Sequence, residues 1–253
     1  MNFFFQWFRM RARAKGYVIN WQRFMSDFES GLLPALSTIF PEVDRRGCKF
    51  HFCQAIMRKL SELGLKPLYN NTHLPFKTFV RSVFALSFFP IHRINDAFES
   101  LVAGLDALRG HNQENMVLDF LQYLWVTWIK DGSKFPKEMW NSLGLLDRRT
   151  NNDIEGWYHL SALERFGRPK HLCHFINTMK NELKSFEREA HMIQHGNPPS
   201  VRRKEQRRRE TRINNMLVSY QEANGVYADD LEFLAAMSHL EVDFDWTFKR
   251  NSN

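Results

Sequence analysis

Cysteine is scarce: Cys48, Cys53 and Cys173 are the three in 253 residues. Three cannot make a paired disulfide framework, and so sparse a usage fits a reducing compartment. No run of about 18 apolar residues occurs, so no segment is expected to cross a membrane as a helix. No segment repeats. Acidic residues are missing from the first 26 positions, where Arg9, Arg11, Arg13, Lys15 and Arg23 all fall. These basic residues follow the apolar stretch Phe3-Phe4-Phe5, which is the wrong order for a secretory signal. A mitochondrial presequence fits that order better and stands as a lesser expectation. The plainer expectation is an amphipathic helix with Phe4, Trp7, Phe8 and the stem of Arg11 on one face.

Apolar residues are plentiful. Hydrophobic residues make up 43% of the chain and Phe alone counts 23, which excludes a disordered protein and supplies a core. The length predicts one domain or two small ones. A net charge of +7 and a pI of about 9.4 favour an anionic partner, either nucleic acid or an acidic surface.

Helical periodicity dominates. Gly16 ends the first helix, Trp21–Ser26 reads as a short strand, and Asp27 follows it directly. Leu32, Leu33, Leu36, Ile39 and Phe40 suggest a helix that stops before Pro41. Residues 43–50 read as a second strand. From Gln54 to about Trp140 the pattern is helical. Phe76, Phe79, Val80, Val83 and Phe84 form one face. Ile91, Ile94, Phe98, Leu101, Val102, Leu105 and Leu108 form another, and Phe120, Leu124 and Trp128 a third. A break falls near 147–152 and a helix is expected from Asn152. Leu172, Phe175, Ile176, Met179, Leu183, Phe186, Ala190 and Ile193 have heptad-like spacing, which packing in a core explains. Pro198-Pro199 marks a loop, with helices near 211–223 and 229–238 after a basic run. Two strands alone make no stable sheet. A partner sheet is expected elsewhere, or strands from residues outside this chain.

Three motifs carry chemistry. The first is Met25-Ser26-Asp27-Phe28-Glu29 at a strand-to-helix junction. The second is Gly47-Cys48-Lys49-Phe50-His51-Phe52-Cys53-Gln54. The third is Arg149-Thr150-Asn151-Asn152, then Glu155-Gly156-Trp157. In this order and spacing the set resembles the Mutator-like element (MULE) transposases, and the resemblance runs through nearly the whole chain. It implies an α+β fold, predominantly α in this chain: an incomplete RNase H-like core with a large helical insertion. Residues 1–53 would be part of the core and residues 54–146 the insertion. Residues 147–195 would carry the Glu-bearing helix and its successor, and 196–253 the basic segment and C-terminal helices.

In this family three carboxylates, Asp, Asp and Glu, hold two divalent metals that drive DNA cleavage and strand transfer. Asp27 matches the second Asp and Glu155 the Glu. Cys48 and His51 match a Cys-x-x-His element, expected to brace the second strand, and Asn151, Asn152 and Trp157 match the surroundings of the Glu. The implied cofactor is Mg²⁺ or Mn²⁺. The implied partners are transposon-end and target DNA in the nucleus, with homo-oligomers open and no membrane. Phosphoryl transfer suits such a set, because metals about 3.5–4 Å apart clamp the attacking and leaving oxygens. Hard cations take oxygen ligands.

The chain departs from the pattern. Nothing acidic precedes Asp27, so the first carboxylate lacks a counterpart, and a domain truncated at its N-terminus and inactive alone is expected. Tyr158 stands where the family commonly has His. Gly31 and Pro34 interrupt a helix that usually runs smoothly.

Each candidate also has a plainer role. Asn152 and Glu155 make a capping box, and Asp27 suits a helix N-terminus. Cys48, His51 and Cys53 with His171, Cys173 and His174 have zinc-ligand chemistry, but zinc is not expected because the second set matches no family position. The aromatic stretch 120–128 suits base stacking, yet its helical spacing favours the core. Arg202, Arg203, Lys204, Arg207, Arg208 and Arg209 form a candidate nucleic-acid-binding strip or nuclear localisation signal, or simply a solvated helix face.

Overall fold

The computed structural model describes residues 2–29, 31–71, 75–145, 172–196, 204–222 and 230–240. In chain order these form α1 (Asn2–Ala14), β1 (Arg23–Ser26), α2 (Leu32–Ile39), β2 (Asp44–Gly47), α3 (Lys49–Glu62), α4 (Lys66–Asn70), α5 (Phe76–Ala85), α6 (Ile94–Ala103), α7 (Glu114–Leu124), α8 (Lys137–Trp140), α9 (Leu172–Gln194), α10 (Lys204–Glu222) and α11 (Asp230–Leu240). The fold is α+β and predominantly α, with one small parallel sheet. No helix among the described residues is long and apolar enough to cross a membrane. Two compact units divide the chain: residues 1–150 with 212–253, and residues 151–211.

In the first unit, β1, α2 and β2 make a β-α-β crossover. Arg23 pairs with Asp44 and Ser26 with Gly47 in parallel register. Gly16 ends α1 with φ +79, a conformation that costs glycine little. Pro34 does not break α2. The helix starts only at Leu32, so Pro34 lies in its first turn, where a missing N–H costs nothing. The buried side of α1 differs from the expected one. Phe5 is 7% exposed, while Phe4 and Trp7 are 57% and 46% exposed. Adjacent aromatics give α1 two overlapping apolar faces, and α2 covers the one centred on Phe5. Phe5 meets Phe24 and Phe40 edge-on, within a small core that includes Leu36 and Ile39.

The second strand is shorter than residues 43–50. β2 ends at Gly47, Cys48 adopts an extended conformation, and α3 starts at Lys49. No Ser, Thr, Asp or Asn announces that start, which is why the sequence pattern overran it.

The larger core is helical and follows the expected stripes. Phe76, Phe79, Val80, Val83 and Phe84 of α5 are all buried, as are Ile94 and Phe98 of α6 and Phe120, Leu124 and Trp128 around α7. A π-turn at Trp125–Ile129, closed by the Lys130 amide on the Trp125 carbonyl, brings Trp128 and Ile129 inward together. The aromatic stretch is therefore largely core, each fully buried ring contributing about 1.5–3 kcal/mol. Ile213, Leu217 and Tyr220 of α10 and Phe233, Leu234 and Met237 of α11 complete this core. Arg93 ties these helices down. It donates to the Tyr220 hydroxyl at 3.0 Å and to the Asp230 carboxylate at 2.5 Å.

Sheet and helical body are joined at two places. Arg46 donates to the carbonyls of Glu138 and Asn141 at 2.7 and 3.0 Å, beside the C-terminus of α8. Phe28, just past β1, packs its ring 4.9 Å from Trp128 and 5.0 Å from Phe135. The tip of the same ring abuts Gly47, and a Cβ there would clash with it.

In the second unit, α9 is a 23-residue helix. Its heptad-spaced stripe is not the core expected from periodicity, since Leu172, Ile176, Leu183 and Ile193 are exposed. The basic run also differs from expectation. Lys204 to Arg209 opens α10 rather than preceding it, consistent with the helix propensity of Lys, Arg, Gln and Glu.

Gly47→Ala is expected to destabilise the chain by about 1–3 kcal/mol, the usual cost of overpacking. Urea unfolding followed by Trp fluorescence measures it. The Phe28→Leu, Gly47→Ala double variant should recover part of the loss, since the smaller side chain makes room.

Candidate functional site

Both strands of a parallel pair end at the same edge, and such edges are where α/β proteins bind ligands. Here that edge carries the first two motifs. Ser26 is buried, and its carbonyl accepts the Cys48 amide at 2.7 Å, extending the ladder one step past β2. The Cys48 carbonyl then accepts the Phe52 amide at 3.0 Å, the first turn of α3. A short strand thus runs directly into a helix, and its N-terminus is aimed at the sheet edge.

Asp27 leaves β1 at this edge with its carboxylate 57% exposed. His51, in the first turn of α3, is 19% exposed and faces it: Nδ1 lies 3.5 Å from Asp27 Oδ1. That exceeds the direct hydrogen-bond range of about 2.7–3.2 Å. Neighbouring ligands on an octahedral ion at about 2.1 Å would be closer, about 3 Å apart, so a shared ion would draw the two side chains together by about half an ångström. The partial positive charge at the α3 N-terminus adds favourable field for a carboxylate here.

His51 was expected to brace the second strand. It instead sits on the helix and approaches Asp27, because α3 begins two residues before it, at Lys49. Cys48 is fully buried at the strand–helix junction. The Phe28–Gly47 contact below the edge sets how closely the two strand ends approach. Lys49 is also buried, with Nζ 4.7 Å from the centre of the Phe88 ring, which anchors α3 to the helical body. Sequence reasoning passed over Phe28 and Lys49 as positioning residues. The signal was there: both lie inside the motifs, one residue from Asp27 and from Cys48.

The sheet is held electrostatically as well. Asp44 accepts Arg23 Nε at 2.8 Å and Arg46 Nε at 2.9 and 3.0 Å. Partial burial pushes the Asp44 carboxyl upward, but the hydrogen bonds and charges of Arg23 and Arg46 outweigh it and hold it below the ordinary carboxylate range.

Glu155, Asn151, Asn152 and Trp157 lie outside the described residues, as do Arg202 and Arg203. Lys204, Arg207, Arg208 and Arg209 occupy the first two turns of α10, where Arg208 is exposed. Cys53 is buried on α3, while Cys173 and His174 are exposed on α9. Among the described residues no group of three or more His, Cys, Asp and Glu side chains converges as a metal cluster would. Asp27 and His51 thus offer one oxygen and one nitrogen donor, enough for a single loosely held ion.

The chain matches no protein-family model, no curated protein and no solved structure.

Asp44, at the opposite end of the sheet from Asp27, makes the strand pair acid-sensitive. Its folded-state pKa is depressed, so its contribution is fully present above the unfolded value of about 3.9 and is lost as pH falls through the folded value. Because Asp44 and both arginines are partly exposed, the effect is at most about 1 kcal/mol. Asp44→Asn is expected to flatten the stability profile below about pH 4. Denaturant midpoints measured across that range check this.

Proposed function

We propose that the chain is a MULE-type transposase domain, related to enzymes of metal-dependent DNA cleavage and strand transfer, and that by itself it does not turn over. The observation that carries this reading is the meeting of two of its motifs at one sheet edge: Asp27 at the end of β1 and His51 in the first turn of α3, 3.5 Å apart. A parallel β-α-β unit whose first strand ends in a carboxylate is also the local geometry an RNase H-like core requires. Under this reading Asp27 and Glu155 would hold Mg²⁺ or Mn²⁺, and the bound ions supply Lewis-acid activation of phosphoryl oxygens. Asp27 needs little rearrangement for that task, being exposed yet seated on a strand end. With no acidic residue among positions 1–26, the set lacks its third carboxylate. Two carboxylates do not hold a metal pair in line.

Metal titration tests the site. Mn²⁺ is expected to bind weakly and to broaden the His51 imidazole resonances, and Asp27→Asn should abolish the broadening. Equal broadening in Asp27→Asn sinks the assignment. DNA nicking that is lost in Glu155→Gln would overturn the claim of inactivity.

A second reading is a non-enzymatic nuclear DNA-binding protein of transposase descent. The basic face at the start of α10 favours it, since helix places Arg208 in solvent. Six phosphate contacts from the basic residues of 202–209 predict a log K against log salt slope of about −5. Replacing Arg207, Arg208 and Arg209 by Gln should flatten the slope by about 3. Fluorescence anisotropy on duplex DNA measures it, and an unchanged slope removes the strip from the interface. The same variant, as a fluorescent fusion, reports whether the strip also directs nuclear entry.

A further inference from the structure

The C-terminal end of α9 carries two histidines one turn apart, in the run His191-Met192-Ile193-Gln194-His195. Residues four apart on a helix lie one above the other on the same face. The two rings stack with centroids 4.0 Å apart and planes 23° from parallel, and both residues are exposed. His195 is held by its main chain and by its ring. Its amide donates to the carbonyls of His191 at 3.1 Å and Met192 at 3.2 Å. Its ring Nδ1 lies 2.8 Å from the same His191 carbonyl oxygen. A carbonyl only accepts, so Nδ1 carries the proton and donates. In the neutral ring the lone pair is then on Nε2. One ring nitrogen donating to a carbonyl while the other keeps its lone pair is how metal-binding histidines are oriented.

We propose that His191 and His195 form a binding site for one divalent transition-metal ion, Zn²⁺, Ni²⁺ or Cu²⁺. Imidazole nitrogen suits these ions, whereas Mg²⁺ and Ca²⁺ take oxygen. A tetrahedral ion about 2.0–2.1 Å from each nitrogen separates the two by about 3.3 Å, so tilting the stacked rings towards each other suffices. The helix end supplies the field. Glu187 and Arg188, the charged residues one turn before His191, offset each other. The last carbonyls of the helix place partial negative charge beside the rings, which favours a cation. Gly196 has φ +84 and its amide donates to the Ile193 carbonyl at 3.0 Å, so the chain turns off the helix directly after His195. Among the described residues no third His, Cys, Asp or Glu joins the pair. Waters therefore complete the coordination, and the ion is exchangeable rather than a permanent structural centre. Held across one turn, it staples the end of α9, because opening that turn parts its two ligands. The inference rests on α9 alone, uses none of the residues at the Asp27–His51 edge and is independent of the transposase reading.

Isothermal titration of the full chain with Zn²⁺ is expected to show a saturable site. His191→Ala and His195→Ala should each weaken it by at least about 10-fold, the least that loss of even an outer-shell partner costs. Both positions are exposed, so neither variant threatens the fold. A double variant, Met192→His with His195→Ala, keeps the number of imidazoles but sets them on different faces, and should bind no better than His195→Ala. Met192 is itself 55% exposed. Any Zn²⁺ held by Asp27 and His51 persists in all three variants and is thereby told apart from this site. Hydrogen exchange reads the staple. With Zn²⁺ at about 100 times its dissociation constant, the His195 and Gly196 amides should exchange up to about 100-fold more slowly. A parent chain without a saturable Zn²⁺ site, an affinity unchanged in His191→Ala, or one restored in the double variant overturns the proposal. Binding that leaves those two amides unprotected overturns the staple.

Discussion

The ring of Phe28 occupies the space a side chain on Gly47 would need. This contact joins the ends of the two strands, and the same ring packs edge-on with Trp128 and Phe135, which stack on each other. The sheet edge and the helical body are therefore one packed object. Only glycine at position 47 leaves room for the tip of the Phe28 ring between the two strand ends. Asp27, one residue before Phe28, and His51, four residues after Gly47, inherit their separation from it. The aromatic cluster continues through Phe52, stacked on Trp140 with centroids 4.9 Å apart. The helix bearing His51 is thereby gripped by the same core.

The sheet itself contributes little burial. β2 reads Asp-Arg-Arg-Gly and its side chains are mostly half-exposed. Two parallel strands of four residues do not stand alone in water. Here they are held from outside: by Arg46 on the α8 carbonyls, by Asp44 between two guanidinium groups, and by Phe24 in the small core with α1 and α2. The larger burial lies in the helices, where α11 packs across α5 and α6. Stability and the candidate site thus draw on different residues, linked chiefly through Phe28, Arg46 and α3.

The helical body was legible in the sequence because its stripes are long and single-faced. Phe76 to Phe84 and Phe120 to Trp128 offer one apolar face each, and both are buried. Legibility fell where a segment had two candidate faces or an unmarked boundary. The aromatics at positions 3, 4, 5, 7 and 8 satisfy more than one face of α1, and only the position of α2 selects Phe5. The β2-to-α3 switch occurs at Cys48, a residue with no capping chemistry, so strand periodicity carried past it. The stripe of α9 was legible as a stripe, but periodicity does not say whether its cover comes from the same chain. For the site, the motifs singled out Asp27, Cys48 and His51, which the fold places at one end of the strand pair. The pairing of Asp27 with His51 was not readable, because it depends on where α3 begins to the residue.

Motif integrity and activity are separable here on physical grounds. Phe28, Gly47, Cys48 and Phe52 all belong to the motifs, and all are packed in the interior or at its margin. A change at any of them costs stability whether or not the chain acts on DNA. Their presence is therefore explained by folding alone. Asp27 is different: its carboxylate is more than half exposed and lies 3.5 Å from His51 Nδ1, so it stays open to a ligand. Its chemistry and not its packing is what the site reading needs. The proposed metal ligand is thus an exposed carboxylate held in place by neighbours that the core packs tightly.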